Sequence, residues 1–120
     1  YLEEFLASLM AGNDERAGLS AGRALTLRPS DLVSHYVVGR LAEKRRETAG
    51  AIRAYRAALK CKTSPDEVHY LVLTHYRLGL LLDQERYYLA AAEQLGLFEK
   101  GVRSLGGKIE ENAELASIVR

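Results

Sequence analysis

The stretch His35–Thr63, HYVVGRLAEKRRETAGAIRAYRAALKCKT, decides how the chain is read, because the segments on either side of it are imperfect copies. Its first half sets apolar or small residues at Tyr36, Val38, Gly39, Leu41 and Ala42, and charge gathers at its end in Glu43, Lys44, Arg45 and Arg46. Its second half places Ala51, Ile52, Tyr55, Ala58 and Leu59 at steps of three and four, the spacing that collects side chains on one face of a helix. The stretch therefore predicts two antiparallel helices. Gly39, Ala51 and Ala58 remove bulk where the two axes approach, and Tyr55 fills the space between them.

Forty residues after His35 the pattern returns, with His75-Tyr76-Arg77-Leu78-Gly79 repeating HYVVG as HYRLG. In that register Leu82 follows Ala42, Ala91 follows Ala51, Leu95 follows Tyr55, and Phe98 stands where Ala58 does. A step of thirty-four lands on His69 and matches less well. The six extra residues lengthen the first helix of this unit, expected from about Asp66 to Leu82 after an opening at Ser64-Pro65-Asp66, where a proline's missing N–H costs nothing. Its second helix runs through Tyr87, Tyr88, Ala91, Leu95 and Phe98 toward Leu105, and Gly106-Gly107 stops it.

Upstream, Tyr1–Met10 carries Leu2, Leu6 and Leu9 on one stripe, and a helix from near Asp14 to Pro29 follows the stop at Gly12-Asn13-Asp14. In the central unit Ser30-Asp31 caps the first helix and the second begins near Glu47 and Thr48. Lys108–Arg120 reads as a final amphipathic helix with Ile109, Ala113, Ala116 and either Leu115 or Val119 facing inward, placed to hide the last apolar face from water. Strand signals are nearly absent.

These residues resemble the tetratricopeptide (TPR) pattern, a helix-turn-helix repeat of 34 residues. His35, Val38-Gly39, Ala42, Ala51, Tyr55, Ala58 and Thr63 fall on its marked places, with His35, Ala42 and Thr63 departing from the usual aromatic, Tyr and Pro. Ala17, Ala24 and Pro29 stand thirty-four residues before Ala51, Ala58 and Thr63. The resemblance implies an all-α, right-handed α-solenoid. Its repeats cover about 1–31, 32–65 and 66–105, and a capping helix covers about 108–120. The sequence opens on Tyr1, not Met, and is read as a piece of a longer protein.

Composition narrows the function. Seventeen basic and sixteen acidic residues leave a net charge of +1, without the strongly basic balance of a dedicated nucleic-acid domain. No apolar run reaches the length of a membrane span. One cysteine, Cys61, excludes an internal disulfide and leaves the compartment open. The three histidines form no metal-ligand spacing: His35 and His75 recur at equivalent places, and His69 lies about 240° around the helix from His75. Gly101 and Gly106-Gly107 lack the setting of a phosphate loop and read as breakers. No enzyme, cofactor or metal is therefore expected.

The resemblance implies a scaffold that binds a peptide or helix of a partner protein in a concave groove. It places Leu2, Leu6, Leu9, Tyr36, Arg40, Glu43, Tyr76, Arg77 and Leu80 along that groove. The acidic chaperone tails that some TPR domains hold are not expected, because Leu2, Leu6, Val37 and Leu73 stand at the clamp places and only Arg77 fits. The alternative is electrostatic. Eight basic residues between Arg40 and Lys62 face only Glu43 and Glu47, and Arg53, Arg56 and Lys60 share one helical face, which suits RNA or an acidic surface. A nucleic acid is the less favoured partner, since no aromatic residue is interleaved with that face. Self-association through exposed array ends is a further route.

Overall fold

A computed structural model describes residues 14–119 of the chain. Among these residues there is no strand, and six α-helices follow in order: α1 (Asp14–Leu27), α2 (Leu32–Lys44), α3 (Thr48–Leu59), α4 (Val68–Gln84), α5 (Tyr88–Leu105) and α6 (Ala113–Val119). Two 3-10 segments, η1 (Pro65–Glu67) and η2 (Gly106–Glu111), lie before α4 and after α5. The chain divides into two compact units between Thr63 and Ser64.

In the first unit α2 and α3 form a hairpin, and α1 packs on α2. Asp31 precedes α2 with extended backbone, and its carboxylate accepts a hydrogen bond from the buried Ser34 hydroxyl one turn into the helix. The hairpin closes on Tyr55, which is fully buried. A Cβ at position 39 would lie 2.3 Å from Tyr55 Cε1, so the aromatic ring occupies the space that Gly39 leaves open. The ring also lies 5.9 Å from that of Tyr36, and its hydroxyl donates to the Glu43 carboxylate. Ala51, Ala54 and Ala58 complete the α3 face that is buried, and Ala21 and Ala24 are buried on α1.

The second unit repeats this plan. Ser64 and Glu67 form a capping box that opens η1, with Pro65 at the first position. Gly79 lies under Leu95, and a Cβ there would be 2.8 Å from Leu95 Cγ. Gly79 and Leu95 each stand forty residues after Gly39 and Tyr55. Ala91 is buried as Ala51 is, and the buried hydroxyl of Thr74 stands where Ser34 does.

The two turns share one geometry forty residues apart. After α2, Arg46 N–H donates to Glu43 O at 3.0 Å and Glu47 N–H to Ala42 O at 2.9 Å; after α4, Arg86 N–H donates to Asp83 O at 3.0 Å and Tyr87 N–H to Leu82 O at 2.9 Å. Both are Schellman closures, in which a left-handed residue lets two N–H groups satisfy the last helical carbonyls. The left-handed place, usually glycine, is held by Arg46 (φ 59°) and Arg86 (φ 69°).

As expected, the first helix of the third repeat is the longer one, α4 having 17 residues against 13 in α2, and α5 reaches Leu105, with 18 residues against 12 in α3. Two expectations change. Gly101 does not break α5 but lies inside it, where a Cβ would come within 2.6 Å of Val72 Cγ2. The helix expected from Lys108 starts only at Ala113. Gly106 (φ 54°) ends α5, η2 follows, and Asn112 then turns the backbone and accepts the Leu115 N–H on its Oδ1 at 2.9 Å. Leu115 and Ala116 face inward as expected, while Ala113 is exposed.

Candidate functional site

Each residue expected along the groove has a definite place, apart from Leu2, Leu6 and Leu9, which lie outside the described residues. Tyr36 is fully buried against Tyr55 and, as the helices stand, has no surface for a ligand. Glu43 is half-buried and engaged by the Tyr55 hydroxyl, and Arg40 is half-buried beside it in sequence. In the second unit Tyr76 is half-buried with its ring 4.9 Å from Phe98, Arg77 is half-buried, and Leu80 is exposed one turn further along α4. Phe98 thus turns from a place for a small residue into the partner of Tyr76.

The polar groups that invite chemistry have structural partners. His35 Nε2 lies 2.9 Å from Pro29 O, His75 Nδ1 2.7 Å from Gln94 Oε1, and His69 Nε2 2.7 Å from Lys108 O. His69 also stands 4.0 Å from a Glu111 carboxylate oxygen and links α4 to η2. Cys61 Sγ lies 3.3 Å from Ala57 O. Among the described residues no three His, Cys, Asp or Glu side chains gather as metal ligands. An open depression of about 490 Å³ is lined by Phe98, Glu99, Val102 and Arg103 of α5 and by Ile118 and Val119 of α6. It brings one carboxylate and one guanidinium to an apolar floor, with no polar set that would orient a small substrate.

The surface that sequence reading missed begins where the second hairpin turns. Tyr87, Tyr88 and Leu89 are 62, 61 and 90% exposed. Because the two turns share one geometry, their counterparts in the first hairpin are Glu47, Thr48 and Ala49. The same backbone therefore carries a polar face in one unit and two aromatic rings with a leucine in the other. Leu80, at the same end of the hairpin, is exposed as well, where the first hairpin has Arg40. The signal lies in the forty-residue register itself: placing residues 87–89 on residues 47–49 shows apolar side chains where the first copy has polar or small ones.

Arg53, Arg56 and Lys60 are all exposed along α3, as the helical spacing predicts. Among the described residues no helix is long and apolar enough to cross a membrane. Compared with family models, with curated proteins and with solved structures, the chain gives no match.

Proposed function

We propose that the chain is a non-enzymatic protein-interaction module of TPR-like helical hairpins, and that the turn of its second hairpin grips an apolar peptide or helix of a partner protein. One observation carries the reading: Tyr87, Tyr88 and Leu89 stay in water on a framework that closes equally well in the first unit over Glu47, Thr48 and Ala49. The fold does not need them there. Single apolar side chains on a surface are ordinary, but three exposed in succession at one turn, with Leu80 exposed one turn before the end of α4, are what an apolar contact would use. Tyrosine suits such a role, since it adds large rigid area with few rotamers to freeze and a hydroxyl for the polar rim. In its finer form the proposal extends the partner's contact onto α4 at Tyr76, Arg77 and Leu80.

A peptide selected from a displayed library against the full chain provides the ligand for a test. Its affinity should fall roughly thirty-fold on Tyr88→Ala, the factor equivalent to about 2 kcal/mol for one aromatic anchor. Leu89→Lys should weaken it comparably, and Arg53→Glu should leave it unchanged. Selected peptides indifferent to both Tyr88→Ala and Leu89→Lys would contradict the reading.

A further inference from the structure

The outer face of the first hairpin differs from that of the second in the opposite sense. Along α3 and the turn before it, Arg45, Arg46, Arg53, Arg56 and Lys60 are all exposed, and none has a carboxylate within ion-pair distance among the described residues. Glu47 is the one exposed acid between Arg45 and Lys60. At the matching places the second hairpin has Glu85, Arg86, Glu93, Gly96 and Lys100. A hairpin of this geometry is therefore built with a mixed outer face as readily as with a cationic one. The basic row is not a requirement of the fold.

We infer that this row binds an extended, Glu- or Asp-rich segment of a partner protein. At 1.5 Å per residue, Arg53, Arg56 and Lys60 follow one another at about 4.5 and 6 Å along the helix axis. In an extended strand every second side chain lies on one face, about 6.6 Å apart. Three alternate carboxylates therefore span about 13 Å against about 10.5 Å for the row, a difference that long Arg and Lys side chains bridge. Two of the three cations are arginines, whose planar fork meets a carboxylate through two parallel hydrogen bonds. A nucleic acid fits less well. Single strands want aromatic faces to stack on, and this row is interleaved with Ala49, Ile52 and Ala57 instead. The chain's net charge of +1 also limits attraction for a long polyanion to this one stripe. The inference stands on the first unit and does not depend on the apolar surface proposed for the second.

The test titrates the full chain with a fluorescent octapeptide of alternating Glu and Ser, and with an eight-residue oligothymidylate, at about 50 and 150 mM salt, where charge screening differs. The peptide should bind and weaken as salt rises. Arg53→Glu, which copies Glu93 of the second hairpin and so suits the framework, should weaken it at least tenfold, and Arg56→Gln and Lys60→Gln severalfold each. Leu89→Lys should have no such effect. Circular dichroism verifies that each variant keeps its helix content. Failure of the peptide to bind the parent chain, equal affinity for Arg53→Glu, or tighter binding of the oligonucleotide at the same salt would each overturn the inference.

Discussion

Tyr55 and Gly39 make one joint between them. The ring fills the space that the missing Cβ leaves, and the Glu43 carboxylate holds its hydroxyl at the other end. Removing the ring should leave a cavity, and Tyr55→Ala is expected to cost about 3–5 kcal/mol in a urea melt. Filling the space from the other side should also destabilise. In Gly39→Ala the new methyl meets a ring pinned at both ends, so overpacking of about 1–3 kcal/mol should outweigh the roughly 1 kcal/mol that alanine gains over glycine in a helix. At the second joint the clash falls on Leu95, an aliphatic side chain with other rotamers. Gly79→Ala should therefore cost clearly less than Gly39→Ala. Equal losses from the two substitutions would show that the tyrosine's fixed ends do not matter.

The turns and helix ends set the second level. Arg46 and Arg86 hold left-handed backbone that a side chain disfavours by roughly 1–2 kcal/mol. Arg46→Gly and Arg86→Gly should each raise stability by several tenths to about 1 kcal/mol, and by similar amounts, since the two Schellman closures match. A drop in either urea midpoint would argue that the arginine side chain contributes to the fold. At the start of α6, Asn112→Ala removes the acceptor of the Leu115 N–H and should cost about 1 kcal/mol. The helices could be read from spacing, and the forty-residue step from the likeness of HYVVG and HYRLG, which sets Gly79 and Leu95 against Gly39 and Tyr55. The left-handed residues could not, since arginine carries no turn signal where glycine is the rule. Nor could the late start of α6, because Ile109 fits the apolar stripe in sequence while Asn112 interrupts the backbone. The surface was partly legible. Helical spacing put Arg53, Arg56 and Lys60 together, but the sequence ran one helix through Tyr87, Tyr88, Ala91 and Leu95 with nothing to set the tyrosines apart, and only their exposure separates them from Leu95.

Across the whole molecule, two hairpins of one framework present different faces: cationic on α3, aromatic and apolar where α5 begins. The central claim is that the framework carries the fold and the residues of the turn carry the binding. A three-residue replacement tests it most directly. In the full chain Tyr87→Glu, Tyr88→Thr and Leu89→Ala together give the second hairpin the residues that the first has at 47–49. Tyr87 is the N-cap of α5, but its side chain makes no capping hydrogen bond. Exposed substitutions that remove no such contact usually change stability by no more than about 0.5 kcal/mol, so the urea midpoint should be nearly unchanged. Titration with the library-selected peptide should then show binding lost, at least thirty-fold below the parent chain. A variant that keeps its stability and still binds the peptide with parental affinity would contradict the account.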